Sequence, residues 1–533
     1  MSNQRGKKLQ YLFNQGKITR REFLTRASAL GLTAALSPAV FSSPLMAASE
    51  TPKKGGTLRM GIAHGSTSDS LDPAVLLNGF ICSVAFSVCN HLVEIGPQSQ
   101  LVPELAESWE PSQDLKTWRF NIRRGVEFHN GKTLDAHDVV ASINYHRKKG
   151  SKSAAKSLLK PVVDIKAEGK HTVVFTIDQG YVDFPFILGA VHLVIFPASG
   201  DGIDWKSGNG TGPYVLDNLE PGVVARFSRN KNYWKQGRAH FDNLVMLSIK
   251  DVPARTNALK TGKVDIIDRP DLKTVHLLGK MPDIVIDETT AYAHYSIPML
   301  TDTPPFDNND LRMALKLALD RTSMLKILFR GHGVLGNDHP ISPKHRFYAK
   351  ELPQRVYDPE KAKYYLKKAG YDRITVPLHA SSAAFAEAVD TAVLYQENAR
   401  KAGIDIKVVR EPSDGYWKEI WRKKPWCFCY WRGRVTEDWM FSVTYAAGAP
   451  YNDTRWKNER FNKLLVEARS ERNDAKRREM YVEMQRIVRD EGGQVIPIFN
   501  NYVLARNAKL RHGPILPAAD LDGYRLAERW WFA

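Results

Sequence analysis

One segment of the chain, CFCYWRGRVTEDW at residues 427–439, brings together side chains that can hold a small charged molecule. The guanidinium of Arg434 repels an ammonium group and attracts a carboxylate, sulfonate or phosphate, often through two parallel hydrogen bonds. The same charge can instead be neutralised within the protein by Glu437 or Asp438. The sequence leaves both interpretations of Arg434 open: a contact with a ligand, or an internal ion pair.

Aromatic and acidic side chains lie close to this arginine in the sequence. Trp431 and Trp439 offer large flat surfaces for stacking or for an apolar wall. Glu437 and Asp438 can take an amino group if the register of the loop shifts. The side-chain chemistry of this segment suits contact with a small charged group.

The sequence lacks the common motifs of hydrolytic enzymes. It contains no Gly-x-Ser-x-Gly, no His-Glu-x-x-His and no Cys-x-x-Cys. The 15 histidines do not cluster at the spacing of metal ligands, and His129, which lies in a turn sequence, is expected to be structural. We therefore expect no enzyme activity, metal or cofactor. A secreted hydrolase, and a metal or haem receptor, are kept as alternatives.

Four cysteines are present, in two pairs. Cys82 and Cys89 are seven residues apart on a predicted helix, which separates them by about 10 Å along the axis, too far for a disulfide. Cys427 and Cys429 lie on the same face of a predicted strand, where they also cannot reach each other. We expect four buried free thiols, and a bond between the two pairs stays open.

The beginning of the chain has the order of an export signal. The sequence TRREFL at residues 19–24 precedes an apolar run at 27–40, and Ala47 and Ala48 offer a cleavage site. The run is shorter than the roughly 20 apolar residues that span a bilayer, and no cysteine follows it closely. We expect residues 1–48 to be a twin-arginine signal peptide and the mature chain to work in the periplasm.

The charge of the chain is strongly basic. The formal net charge is +18; residues 1–48 hold seven Lys or Arg and one Glu, so +6 belongs to them and +12 to the rest. The remaining basic residues alternate with acids along predicted helices, as in DAKRRE at residues 474–479. No known nucleic-acid-binding motif accompanies them. We therefore expect a solvated basic surface and no nucleic-acid partner.

Strands and helices alternate along the chain, which predicts an α/β protein of two or three domains. The strands are predicted from period-two alternation, and the helices from longer apolar periodicity and from capping residues. The predicted strands are 56–62, 118–122, 173–177, 223–228, 404–409 and 495–499. The predicted helices are 80–93, one beginning at 136, 310–320, 359–369, 384–401, 458–469 and 475–489.

Separated sequence blocks resemble family 5 of the extracellular solute-binding proteins, the dipeptide, oligopeptide, nickel and opine receptors of ABC importers. They follow the family's order over most of the chain. The resemblance implies a two-lobed α/β periplasmic-binding-protein fold of type II with an extra subdomain, found as a monomer that passes a small molecule or short peptide to the membrane subunits of an ABC permease. The blocks are LAESW at 105–109, WRFNIRRGVEFHNGK at 118–132, GTGPY at 210–214, ALKTGKVD at 258–265, DLRMA at 310–314 and YDPEKA at 357–362.

The resemblance also implies domain boundaries and contact residues. Lobe I is expected at residues 54–297 and 497–533, with a subdomain inserted at about 84–200, and lobe II at 298–496. A solute would be trapped between the lobes by hinge closure. The implied ligand contacts are Ser66, Thr67, Ser68, Thr211, Gly212, Tyr214, Ser381, Ser382, Trp431, Arg434, Glu437, Asp438 and Trp439.

Two positions depart from the pattern of the peptide receptors. These resemble Gly/Trp-x-Gly-Asp near residue 434, with the aspartate on the ligand's α-amino group, whereas this chain has Arg434 there. Dipeptide receptors have an arginine near the position of Ser381 and Ser382, where this chain reads HASSAAF. An opine-like conjugate, or another small anionic or zwitterionic solute, therefore stands beside a short peptide as the expected ligand.

Overall fold

The structure, a computed structural model, describes residues 52–449 and 451–533, of which Lys53–Phe532 form one compact unit. The signal-peptide prediction for residues 1–48 lies outside the described residues. The strands are β1 Thr57–Ile62, β2 Val93–Ile95, β3 Leu101–Pro103, β4 Ala106–Pro111, β5 Thr117–Ile122, β6 Val162–Ala167, β7 Thr172–Ile177, β8 Ala198–Ser199, β9 Gly202–Ile203, β10 Tyr214–Glu220, β11 Val224–Arg229, β12 Asn243–Ser248, β13 Ile266–Asp268, β14 Ile284–Pro298, β15 Gly333–Leu335, β16 Ile374–Ala380, β17 Ile404–Arg410, β18 Cys429–Trp431, β19 Gln494–Asn507, β20 Leu510–Arg511 and β21 Trp531–Phe532.

The helices mostly begin at capping side chains. Asp135 and Asp138 form a reciprocal capping box at the start of Ala136–Arg147, where the sequence predicts that a helix begins. None of the described helices combines the length and the apolar character that crossing a bilayer requires. The α-helices with regular geometry are Gly79–Val88, Ala136–Arg147, Phe184–Ile187, Val252–Lys260, Val275–Leu278, Asn309–Leu317, Arg321–Ile327, Pro359–Lys368, Ala388–Arg400, Tyr416–Glu419, Glu437–Thr444, Glu459–Ser470, Asp474–Glu491 and Leu526–Arg529.

A nine-stranded mixed sheet runs through the molecule in the order β10-β11-β12-β1-β13-β19-β14-β18, and β15 also pairs with β19. Strand β1 is parallel to β12 and β13, and the remaining neighbours are antiparallel. Apolar side chains of the central strands, including Leu58, Met60 and Ile62, are fully buried under the helix Gly79–Val88. Their burial supplies the main apolar driving force at this end of the chain.

The longest strand pair joins the two places where the chain is predicted to cross between lobes. Strand β14 pairs with β19 antiparallel, with Tyr295 opposite Ile498 and Ile297 opposite Val495. The sequence predicts only residues 495–499 of β19, whereas the strand extends over Gln494–Asn507. The lobe boundaries themselves stay predictions.

A second, four-stranded antiparallel sheet has the order β4-β5-β7-β6 and packs against the helix Ala136–Arg147. Phe120 and Phe128 are buried, and the Gly131 N–H donates to the Phe128 carbonyl at 2.8 Å, which closes a turn. A separate apolar core within residues 92–195 holds these elements together. It lies within the range predicted for the inserted subdomain.

Three predicted helices are too long: 80–93 is Gly79–Val88 in the structure, 310–320 is Asn309–Leu317, and 384–401 is Ala388–Arg400. The helix Gly79–Val88 ends before residue 93 because Cys89 is extended, with φ −124° and ψ 162°, and the following residues form β2. The helix fully buries its residues, so its apolar sequence continues without a visible boundary into the next buried strand. All four cysteines are buried free thiols, as predicted.

Candidate functional site

A cavity of about 800 Å³ lies beside strand β18 and the loop that follows it. Its volume falls within the range of about 300–1,000 Å³ that holds small-molecule ligands. The walls come from β18 and its loop, the helix Gly79–Val88, the loop at 189–192 and the C-terminal segment at 516–525. Because β18 pairs with β14, with Trp431 opposite His294, the central sheet fixes the position of the loop.

The charged groups of the cavity wall are all basic. Arg432, Arg434 and Arg525 line it, and no aspartate or glutamate does so in the described part of the chain. Arg525 is neutralised by Glu104 at 2.8 Å and Glu528 at 2.9 Å. The other two guanidiniums have no carboxylate within 4.0 Å among the residues that the structure describes. The cavity therefore carries positive charge that the protein does not neutralise.

Arg434 is held by its own loop. Its Nη1 donates weakly to the carbonyls of Arg432 at 3.1 Å and Gly433 at 3.2 Å. Burial and the neighbouring charge of Arg432 lower its pKa to about 10, so the side chain is still protonated at neutral pH. A Cβ at Gly433 would lie 2.2 Å from the Cβ of Tyr292, so only glycine allows the loop to approach β14 this closely.

The two acidic residues after the loop do not pair with Arg434. Glu437 Oε1 accepts the Phe347 N–H at 2.6 Å, and Asp438 Oδ2 accepts from Arg469 Nε at 2.8 Å. Both begin the helix Glu437–Thr444 and turn into the protein. The interpretation of Arg434 as the partner of an internal ion pair is therefore wrong, and neither acid lines the cavity.

Aromatic rings form much of the wall. Trp431 lies 6.1 Å from Trp421 and 6.3 Å from Tyr451, measured between ring centres, and Trp439 lies beneath Arg434. Trp431 and Trp439 are predicted from the sequence, whereas Trp421 and Tyr451 are not. Trp417 and Trp421 are four residues apart around a short helix, a spacing that places both rings on one side and could have indicated them.

The remaining predicted contacts lie outside this cavity. The first group is a loop closed on itself: the Ser66 N–H donates to Asp69 Oδ2 at 2.7 Å, and the hydroxyls of Ser66 and Ser68 lie 2.8 Å apart, with Thr67 exposed between them. No side chain of this group lines the cavity. Their roles as ligand contacts stay predictions.

The second group packs against the end of the helix Gly79–Val88. Thr211 is fully buried, and the Gly212 N–H donates to the Val88 carbonyl at 2.7 Å. A Cβ at Gly212 would lie 2.4 Å from the Val88 carbonyl carbon, so the glycine is required for packing. The Tyr214 hydroxyl donates to the Ala527 carbonyl at 3.1 Å. These contacts account for the GTGPY block without a ligand.

The third group follows β16. The Ser381 hydroxyl oxygen accepts the Ala383 N–H at 3.2 Å and is buried, while the Ser382 and Ser413 hydroxyls lie 3.0 Å apart at the surface. Neither serine lines the cavity. Of the predicted contact residues, the structure thus brings together Trp431, Arg434 and Trp439.

One wall of the cavity is a left-handed turn that the sequence analysis misses. Leu521, Asp522, Gly523 and Tyr524 all have positive φ, between 54° and 66°. Such a conformation costs about 1–2 kcal/mol for each non-glycine residue. The Asp522 carboxylate holds the turn by accepting the Leu516 N–H at 2.7 Å and by pairing with Arg529 at 3.0 Å. The turn presents Tyr524 to the cavity.

Two clusters of described residues have a spacing that suits a cation, namely Glu94, Glu104 and Glu528, and His64, Asp268 and Asp520. In the first, the Lys235 ammonium lies 2.6–2.9 Å from all three carboxylates and takes the place of a cation. In the second, Arg269 lies 2.7 Å from Asp520, and burial lowers the pKa of His64 to about 4. The protein's own cations thus neutralise both clusters.

Comparison with known proteins agrees with this architecture. Residues 100–453 match the family described as bacterial extracellular solute-binding proteins, family 5 Middle. The chain is 25% identical over 523 residues to di/tripeptide-binding protein 1 of Pseudomonas aeruginosa, covering 90% of this chain and 95% of that protein. It is 29% identical over 327 residues to haem-binding protein A of Haemophilus influenzae, covering 56% of this chain and 59% of that protein.

The fold is that of a two-lobed periplasmic binding protein. A solved structure of the binding protein AgaA from A. tumefaciens in complex with agropinic acid superposes with a TM-score of 0.75 at 24% identity, covering 90% of this chain and 99% of AgaA. The predicted fold class is thereby confirmed. The chain belongs to family 5 of the bacterial extracellular solute-binding proteins.

Proposed function

We propose that this chain is the periplasmic solute-binding component of an ABC importer, and that it captures a small peptide-like or opine-like anion in the cavity beside β18. The observation that carries the proposal is Arg434, a protonated guanidinium in the cavity wall with no carboxylate partner among the described residues. Arg434 is partly buried and donates only to loop carbonyls, so a ligand anion would be its charged partner.

The relatives support a small organic solute. Di/tripeptide-binding protein 1 and AgaA with agropinic acid both align with almost the whole of the described chain. The alignment with haem-binding protein A covers only 56% of this chain. Within this range of solutes, the arginines favour one with an acidic group, because a guanidinium binds carboxylates and phosphates in bidentate geometry.

The location and assembly follow from the leader and the family. Cleavage after residue 48 of the twin-arginine signal would release a folded, monomeric receptor into the periplasm. Closure of the proposed lobes at 54–297 with 497–533, and at 298–496, would trap the solute and present it to the permease.

The cavity groups favour binding over catalysis. Cys82 and Cys429 line the cavity, but burial raises the pKa of both thiols, that of Cys82 to about 12, so neither is a thiolate at neutral pH. His192 uses Nδ1 to donate to the Pro73 carbonyl at 3.0 Å, and burial lowers its pKa. This pattern differs from the activated nucleophile and base of a hydrolase.

A thermal-unfolding screen tests the proposal. Peptides, opines and organic acids are added to the purified chain, and a true solute at about 100 times its Kd stabilises it by about 2.7 kcal/mol. The same solute should be recovered unchanged after incubation, and uptake should fail in cells lacking the protein. Conversion of the solute, or uptake that does not depend on this chain, contradicts the proposal.

A further inference from the structure

We infer that the solute is an amphipathic acid: a flat aromatic or other apolar body that ends in a carboxylate, phosphonate or sulfonate and carries no free ammonium group. This inference rests on the proposed function and narrows its ligand class. It excludes unmodified peptides with a free N-terminus and favours N-acylated or otherwise amine-free acids.

The sign of the charge in the cavity wall disfavours an ammonium group. An ammonium group needs a carboxylate partner when it leaves water. The cavity wall offers none in the described part of the chain, and its only unneutralised charges are Arg432 and Arg434. Nearby acids are already used: Glu437 and Asp438 face the protein, and Glu104 and Glu528 are paired with Arg525 behind the wall. A bound ammonium would face repulsion without compensation.

The cavity wall also holds a neutral imidazole, that of His192. Because the Pro73 carbonyl can only accept, His192 Nδ1 carries the proton, and its Nε2 is left as an acceptor. Burial and the charges of Arg432 and Arg434 lower the pKa of His192, so the ring is uncharged at neutral pH. An uncharged acceptor suits an amide N–H or a hydroxyl and does not neutralise an ammonium group.

The shape and polarity of the cavity wall favour a flat apolar solute body. Trp421, Trp431 and Tyr451 form one group of ring contacts, with centres 6.1–6.5 Å apart. Phe86 and Tyr524 form another, with centres 5.7 Å apart. Rings of this kind bind flat apolar groups through stacking and edge contacts. The solute body is therefore apolar, and its acidic end lies at Arg434 above Trp439.

Three matched peptides test the inference by isothermal titration calorimetry with the purified chain: Phe-Phe, N-acetyl-Phe-Phe and N-acetyl-Phe-Phe amide. We expect the acetylated acid to bind at least about tenfold tighter than the free-amine form, a difference of about 1.4 kcal/mol. Equal or tighter binding of Phe-Phe overturns the inference but leaves the proposed importer role intact. Binding of none of the three also overturns it, because the apolar body is then wrong.

The amide tests the anion contact of the proposed function, and the variant Arg434→Glu tests the narrower inference. If the amide binds as tightly as the acid, the anion contact of the proposed function fails as well. In Arg434→Glu the preference should invert, so that Phe-Phe binds tighter than its acetylated form. A variant with native circular dichroism that keeps the preference for the acetylated acid overturns the inference. If the variant does not fold, the three-peptide comparison on the wild type decides.

Discussion

The guanidinium carbon of Arg434 lies 5.6 Å from the centre of the Trp439 ring, and both side chains face the same cavity. The indole ring supports the cation from one side, within the distance of about 6 Å at which a ring attracts a charge. The opposite side has no carboxylate partner in the described part of the chain. The pair therefore suits the proposed site, which an anionic solute would complete.

Replacing Arg434 should weaken binding selectively. In Arg434→Ala we expect the binding free energy of the acidic solute to weaken by about 2–3 kcal/mol, the scale of one charge-assisted contact. Arg434→Lys should recover part of the loss, since it keeps the charge but not the bidentate geometry. The control is Arg346→Ala, an exposed arginine paired with Asp474 away from the cavity. Calorimetry showing unchanged affinity in Arg434→Ala would count against the site.

Removing the supporting ring should reduce affinity without unfolding the chain. Trp439 is only partly buried, so Trp439→Leu keeps an apolar side chain and loses the cation–π contact. We expect a loss of about 0.5–2 kcal/mol in binding, measured by calorimetry. Trp417→Leu is the matched control. This ring also lines the cavity, but it is 40% exposed, and no arginine of the described residues stacks on it. An equal loss in both variants would contradict a specific role for Trp439.

Gly433 should tolerate no side chain. The added Cβ of Gly433→Ala would lie 2.2 Å from the Cβ of Tyr292, so either the loop or β14 must move. We expect destabilisation by about 1–3 kcal/mol, the cost of overpacking, together with weaker binding, since the loop carries Arg434. Gly513→Ala is the control, because nothing lies within 4 Å of its added Cβ. Thermal unfolding that does not separate the two variants contradicts the close approach.

The left-handed turn should depend on Asp522. Asp522→Ala removes the acceptor of the Leu516 N–H and the partner of Arg529, both buried. Breaking a buried ion pair costs about 3–5 kcal/mol, so chemical denaturation should reveal a large loss. Asp217→Ala, an exposed acid that accepts from Ser228, should change little. Stability equal to the wild type would show that the turn does not need this carboxylate.

Binding of an acidic solute should not change between about pH 6 and 8. Arg434, with a pKa of about 10, stays protonated throughout, and burial lowers the pKa of His192, which favours its neutral form. Below about pH 5, affinity should fall as a solute carboxylate gains its proton. Calorimetry across this range tests the prediction. A tenfold loss between pH 6 and 8 would indicate instead a protonated histidine at the anion.

Sequence patterns predicted the local elements well where a side chain marks the boundary. The helix beginning at 136, the strand at 118–122 and the buried free cysteines are confirmed. The extent of β19 was missed because the partly buried Asn500, Asn501 and Tyr502 interrupt the apolar run and resemble the end of a strand.

The site was predictable only in part. Trp431, Arg434 and Trp439 share one segment, so their proximity follows from the chain itself. The roles of Glu437 and Asp438 depend on Phe347 and Arg469, which are distant in sequence and come together only in the fold. The left-handed turn at Asp522 has no local sequence signal beyond one glycine, because long-range hydrogen bonds stabilise it.

Native mass spectrometry of the chain purified from the periplasm, beside Arg434→Glu prepared in the same way, tests the central claim most directly. The account predicts that the wild type carries a single small acidic molecule, and that the folded variant does not carry it. A wild type without any bound molecule, or the same molecule at equal occupancy in both proteins, would contradict the claim that Arg434 holds an anionic solute in this cavity.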